Sequence, residues 1–137
     1  MNMHFVSCID ERARGFDGKV KNVTWIPEEH VFRADCYGGK VYESDDGFVW
    51  KKTGKAFPAN AKVETKIGDV KIYGECKYGN GFCRIDMNRN GHVFELDDDD
   101  LPWEATEWRE FSAVAYSPEL DTYVVGHSKG IIYTEED

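Results

Sequence analysis

A four-residue pattern recurs three times along the chain, and it constrains the fold more than any other feature. In each copy a glycine begins an apolar stretch that ends in an aromatic residue: Gly39-Lys-Val-Tyr42, Gly91-His-Val-Phe94 and Gly130-Ile-Ile-Tyr133. A strand that carries an aromatic opens each copy, with Trp25, Tyr78 and Tyr116 in that place. The chain therefore predicts three copies of one β-meander, at about residues 20–54, 67–106 and 111–137.

Between the opening strand and the glycine, each copy has a turn and a second strand. The second strands are predicted at Val31–Asp35, Phe82–Asp86 and Thr122–Gly126. Successive copies lie roughly 40 to 50 residues apart, which is the length of a propeller blade. Apolar residues do not recur at helical spacing over several turns, so strands are favoured throughout. We expect an all-β fold of three antiparallel, propeller-like blades, with an open β-sandwich or barrel as the alternative.

Composition agrees with one such domain over residues 1–137. The chain is 41% hydrophobic and 14% aromatic, which is too rich in core residues for disorder, and its 13 glycines suit many short strands joined by turns. A net charge of −9 disfavours direct binding to a nucleic-acid backbone, which needs clustered Lys and Arg. No apolar run approaches transmembrane length, and the first ten residues lack the features of a signal peptide, so we expect a cytoplasmic protein with free thiols.

The segment from Tyr42 to Trp50, YESDDGFVW, contains a motif of the form Ser-x-Asp-Gly-x-x-Trp. It resembles the Asp-box of sialidases and of compact phage-encoded repeat proteins, and its matching positions are Ser44, Asp46, Gly47 and Trp50. The second copy departs from the pattern, because Leu96 replaces the serine and Asp97–Asp100 replace the Asp-Gly turn, although Trp103 remains. The third copy ends without a tryptophan strand.

The resemblance implies a structural role for these four residues, at a hairpin turn on the outer rim of a blade. It carries over no catalytic residue, so a sialidase-like glycan-binding or hydrolase relic is only an alternative. It also implies a viral accessory protein, placed in the host cytoplasm, that binds a small ligand or interferes with a host factor.

Three blades are too few to close a propeller, which needs at least about four. The strand-like segment His4–Asp10 belongs to no complete copy, and we expect it to complete the third blade. Closure of the remaining edges then favours a homodimer, with a trimer as the other closed ring. Such an assembly would have a central channel lined by the innermost strands around Trp25, Tyr78 and Tyr116, a natural ligand site.

A second candidate site lies on the face opposite the Asp-box turns, where the turns between second and third strands meet the connections between blades. Cationic and aromatic residues gather there against the acidic background: Tyr37, Arg89, Trp108, Arg109, His127 and Lys129. Such residues suit a small anionic or nucleotide-like ligand, with ring stacking on the aromatics. The alternative is a protein-interaction module whose acidic surface covers a host protein.

We expect no metal and no cofactor. The acidic run Asp97–Asp100, beside Asp45 and Asp46, has carboxylates that suit Ca²⁺, but it lacks the EF-hand spacing and is more typical of a solvated turn. The four histidines share no ligand spacing, and the four cysteines form no CxxC pair.

Overall fold

The fold is known from a computed structural model that describes residues 2–7, 20–61, 64, 66–67, 70–73, 84–89, 92–97, 111–127 and 130–135, with side chains in the ranges 20–61, 64, 66–67, 70–71, 112–126 and 131. These residues form strands and turns, and no helix occurs among them. The strands in chain order are β1 (Asn2–Ser7), β2 (Val20–Ile26), β3 (Val31–Cys36), β4 (Val41–Ser44), β5 (Lys51–Thr53), β6 (Lys66–Ile67), β7 (Val70–Tyr73), β8 (Arg84–Arg89), β9 (His92–Asp97), β10 (Phe111–Ser117), β11 (Thr122–His127) and β12 (Gly130–Glu135).

The described strands are arranged in three four-stranded antiparallel sheets. The first sheet has the order β2-β3-β4-β5, the second β6-β7-β8-β9 and the third β1-β12-β11-β10. In the first two sheets, neighbours in sequence are neighbours in space, as in a meander. The prediction of an all-β fold with antiparallel strands is therefore confirmed.

The N-terminal strand lies at the far end of the chain's last sheet. It pairs antiparallel with β12 over its whole length, from Asn2 opposite Glu135 to Ser7 opposite Gly130. The sequence predicted this place for the segment His4–Asp10; the strand begins two residues earlier, and residues 8–10 lie outside the described part. Pairing with β1 covers the edge of β12 that would otherwise present unpaired backbone groups.

The second sheet differs from its predicted strands. The prediction placed Tyr78 on the strand before β8, but the strand that pairs with β8 is β7, from Val70 opposite Met87 to Tyr73 opposite Arg84. Tyr78 and Trp103 lie outside the described residues. Arg89 and His127, expected in turns, are the last residues of β8 and β11. In the first and third sheets, β3 and β11 agree with the predicted second strands to within one residue.

The described core lies between the first and third sheets. Strand alternation directs one face of each sheet inward, and β-branched and aromatic side chains fill the space between them. The buried cluster consists of Val20, Val23, Phe32, Ala34, Cys36, Tyr42, Trp50, Ala113, Ala115, Val124 and Ile131. Because this core fixes the two sheets face to face, it also sets the separation of their end strands, β2 and β10.

Candidate functional site

The turn between β4 and β5, residues 44–50, is held by side-chain to backbone hydrogen bonds, and we call it the Asp46 turn. Asp46 Oδ1 accepts the backbone N–H groups of Phe48 at 2.8 Å and Val49 at 2.9 Å. Ser44 Oγ donates to the same oxygen at 2.9 Å and accepts the N–H of Gly47 at 2.8 Å. A short acidic side chain that accepts N–H groups two and three residues ahead closes a turn tightly.

Trp50 and Gly47 pack the inner side of this turn: Trp50 belongs to the buried core, and Gly47 approaches the third sheet closely. The Trp50 indole is 2% exposed, and its Nε1 donates to the Gly47 carbonyl at 3.0 Å. Gly47 has a φ of +84°, and a Cβ there would lie 3.2 Å from Val124 Cγ2 on β11. The hydrogen-bonding groups of the Asp46 turn hold the turn itself, and its apolar side packs on a neighbouring sheet, so the turn is a structural element.

The predicted anion site is only partly within the described residues. Tyr37 lies in the turn between β3 and β4, is 56% exposed, and has the Lys21 Nζ 5.7 Å from its ring centroid. Arg89 and His127 are described by their backbone alone, while Trp108, Arg109 and Lys129 lie outside the described part. The convergence of these six residues stays a prediction.

A pocket of about 210 Å³ lies where β2 and β10 approach each other, and we call it the inner-edge pocket. Its described lining residues come from β2, β10, β6 and the segment that leads into β6: Val23, Thr24, Trp25, Glu64, Ile67, Val114, Ala115 and Tyr116. Trp25 and Tyr116 are two of the three aromatics predicted to line a central channel. The sequence placed them in a dimer, and the structure brings them to one pocket within a single chain.

Both aromatic side chains of the pocket are half-buried and fixed by neighbours. The Trp25 ring meets the Phe32 ring edge-on, with centroids 4.9 Å apart at 63°. The Tyr116 ring lies 4.4 Å from the Tyr123 ring, and its hydroxyl donates to Asp121 Oδ1 at 2.7 Å. Aromatic rings held in this way present a defined surface to a ligand with little loss of side-chain entropy.

Backbone geometry explains why the pocket forms there. Both β2 and β10 are end strands of their sheets. The described residues give neither strand a further partner in its ladder, and an end strand presents alternate N–H and C=O groups at its outer edge. One of these groups is occupied, because the N–H of Val114 donates to the Glu64 carbonyl at 2.8 Å. That bond holds the exposed Glu64 beside β10 at the pocket.

The turns that follow β2 and β10 are tied together at the same end of the two sheets. His30 Nδ1 and Glu119 Oε2 lie 2.7 Å apart. In both turns the residue just before the next strand has a left-handed backbone. His30, before β3, has a φ of +56°, and Asp121, before β11, has a φ of +49°. The two turns thus have similar geometry, and the contact between His30 and Glu119 joins them.

A buried arginine, Arg33, lies on β3 directly opposite the pocket residue Thr24. Arg33, 3% exposed and directly opposite Thr24, donates to Glu29 and Glu43 at 2.9 Å each. The Arg33 guanidinium, with a further hydrogen bond from Lys55, lowers the pKa of Glu29 from 4.5 to about 2. Two carboxylates compensate the buried guanidinium, so this cluster is a structural ion network that holds residue 56 over the sheet through the Ala56 carbonyl.

Other kinds of site receive no support from the described residues. Within them, no group of three or more His, Cys, Asp or Glu side chains is arranged to hold a metal ion. No helix in this part of the chain is long and apolar enough to cross a bilayer. Asp97 is described by its backbone, and residues 98–100 lie outside the described ranges.

The sequence indicated the two pocket aromatics but not Thr24, Glu64 or Ile67. The last two lie in or near the segment expected only to connect two copies of the repeat, and no local pattern there signals contact with β10. Comparison with family models, with curated proteins and with solved structures finds no match to this chain.

Proposed function

We propose that this chain is a non-enzymatic binding protein and that the inner-edge pocket holds a small, ring-containing ligand. The observation that carries the proposal is the meeting of Trp25 and Tyr116, from two different sheets, at one pocket between two strand edges. Small-molecule sites combine apolar or aromatic side chains with placed polar groups, and the lining of this pocket contains both.

The size of the pocket limits the ligand. Its volume of about 210 Å³ is below the roughly 300–1,000 Å³ of sites for drug-sized molecules. A single ring system, such as a nucleobase or a substituted benzene, is the appropriate size. The backbone of an end strand carries donors and acceptors along its outer edge, and such groups would orient polar atoms on the ring.

The chemistry of the lining favours binding over catalysis. Glycoside hydrolysis generally uses two carboxyl groups about 5–10 Å apart across the scissile bond. Among the described lining residues, Glu64 supplies the one carboxylate. The Tyr116 hydroxyl already donates to Asp121, which belongs to the turn after β10. These features support a binding role, and hydrolysis of a fluorogenic glycoside is the assay that would contradict it.

A propeller-like arrangement of the sheets is part of the proposal. We assign each four-stranded sheet as a blade, with β1 completing the third blade, and we assign the Asp46 turn as an Asp-box. The hydrogen bonds of Asp46 and the pairing of β1 with β12 support these assignments. The homodimer, or trimer, expected from three blades stays a prediction, because the first and third sheets already pack on each other within one chain. Light scattering tests the assembly, and deletion of residues 1–10 should cause aggregation by exposing β12.

The ligand site is tested by screening single-ring compounds for a rise in melting temperature, followed by NMR titration of the hits. Trp25→Ala should abolish binding, while Tyr37→Ala, an exposed aromatic outside the pocket, should leave it unchanged. Trp25→Leu serves as a second variant that keeps apolar packing against Phe32. A hit whose affinity for Trp25→Ala and Trp25→Leu equals its affinity for the original chain would refute this site. If Tyr37→Ala alone weakened an anionic hit, the predicted site on the opposite face would be favoured.

The protein-interaction alternative predicts a different result when the same variants are used to capture a host protein. A host protein bound through the acidic surface would be retained stoichiometrically and released by salt. Binding that is insensitive to Trp25→Ala would then place the function outside the pocket.

A further inference from the structure

We infer that the inner-edge pocket selects a ring that carries a positive charge, such as a protonated amine or another organic cation. This inference rests on the proposed function, because it concerns the ligand of the same pocket. It also separates this pocket from the anion site predicted on the opposite face.

The first reason is that two aromatic residues, Trp25 and Tyr116, line the pocket. An organic cation is attracted to the face of a Trp or Tyr ring by the negative charge density there. The Tyr116 hydroxyl donates to the Asp121 carboxylate at 2.7 Å, and this charge-assisted bond moves electron density toward the phenol oxygen and ring. Trp25, the strongest type of cation-π partner, lines the same pocket from β2.

The charged lining is the second reason. Glu64 is exposed and lines the pocket, and its backbone carbonyl is fixed to β10 by the Val114 N–H. Trp25, Tyr116 and Glu64 all line the pocket, so an ammonium group on a bound ring would gain attraction from this carboxylate, whereas an anionic substituent would be repelled.

The described cations on β3, in the loop after β5 and on β6 do not reverse this preference. Arg33 lies behind Thr24, but its charge is compensated by Glu29 and Glu43. Lys55 is paired with Glu29, and Lys66 precedes the lining residue Ile67, so along β6 its side chain points to the other face. The net charge of −9 further raises the local concentration of cations and lowers that of anions.

The test compares three probes of matched shape: 2-phenylethylammonium, 2-phenylethanol and phenylacetate. Binding is measured by NMR titration at low ionic strength for the original chain, for Glu64→Gln and for Glu28→Gln, an exposed glutamate outside the pocket. The cation should bind roughly fivefold tighter than the alcohol and more tightly still than the anion. Glu64→Gln should reduce the advantage of the cation over the alcohol, and Glu28→Gln should preserve it.

The outcomes separate this inference from the proposed function. If the alcohol and the anion bind as tightly as the cation, with shifts that Trp25→Leu removes, the pocket binds rings but the charge preference is refuted. If Glu64→Gln and Glu28→Gln weaken the cation equally, the preference comes from overall charge and the assignment to Glu64 is wrong. If no probe binds and the library screen also gives no hit, the proposed function itself fails.

Discussion

The Asp46 turn and the inner-edge pocket each contain a tryptophan from the first sheet, yet the two regions use their polar groups in opposite ways. At the turn, Asp46 and Ser44 bond to backbone N–H groups, and Trp50 is 2% exposed with its own N–H bonded to Gly47. At the pocket, Trp25 is half-buried and lies at a strand edge whose alternate backbone groups have no described ladder partner. A region whose groups are satisfied contributes stability, and a region that leaves groups available is suited to binding.

Replacing Trp50 should produce the largest effect. Trp50→Ala removes a buried indole and its hydrogen bond, and we expect a loss of about 3–5 kcal/mol in the free energy of unfolding. Trp25→Ala, the matched change in the pocket, should cost only about 1–2 kcal/mol because the ring is half-buried. Urea denaturation of both variants measures the difference. Equal losses would show that the two regions do not differ in the way proposed.

The hydrogen bonds of the Asp46 turn are tested by a pair of substitutions at one position. Asp46→Ala leaves the N–H groups of Phe48 and Val49 without their acceptor, and we expect a loss of about 1–3 kcal/mol. Asp46→Asn keeps one carbonyl oxygen at the same place and should lose less than half as much. If the two variants have the same denaturation midpoint, the acceptor role of Asp46 is wrong.

Gly126 tests how closely the first and third sheets pack at a place away from the Asp46 turn. A Cβ on Gly126 would lie 2.6 Å from Ser112 Oγ and 2.9 Å from Val20 Cγ1, so Gly126→Ala should cost about 1–2 kcal/mol through overpacking. At Gly54 a Cβ meets nothing within 4 Å, and Gly54→Ala is the control with little expected change. Thermal unfolding compares them; a neutral Gly126→Ala would mean that the sheets are packed less tightly.

The smallest expected effect concerns the ion network beside the pocket. The pKa of Glu29 is lowered from 4.5 to about 2, chiefly by the hydrogen bond from Arg33. A lowered carboxylate pKa means that the contribution to stability is complete above the usual pKa and is lost as the pH falls from about 4.5 toward 2. NMR titration of the Glu29 carboxyl carbon should give the low value, and Glu29→Gln should flatten this part of the stability profile. An ordinary pKa for Glu29 would contradict the network.

Much of the fold was predictable from local patterns in the first and third sheets. The alternation and turn residues around β3 and β11 located those strands to within one residue. The same reasoning was less successful in the second sheet, where Val70–Tyr73, rather than the segment around Tyr78, pairs with β8. Two short apolar segments lie close together there, and a period of two residues cannot decide which of them pairs.

The candidate site was predictable only in part. Trp25 and Tyr116 were both expected on the opening strand of a copy of the repeat, and they lie on β2 and β10, the end strands of their sheets. The contribution of Glu64 depends on one backbone hydrogen bond to Val114, far away in sequence. A backbone hydrogen bond between residues far apart in sequence does not depend on their side chains, so no pattern in the sequence predicts it.

By itself, the sequence determined the strand alternation and the turn chemistry at Asp46, because each depends on interactions within a few residues. Only the tertiary structure decided that the first and third sheets pack face to face. It also decided which end strands approach each other, and so that Trp25, Tyr116 and Glu64 share one pocket. The physical reason is that sheet packing depends on the fit of whole surfaces, and that fit is a property of the assembled chain.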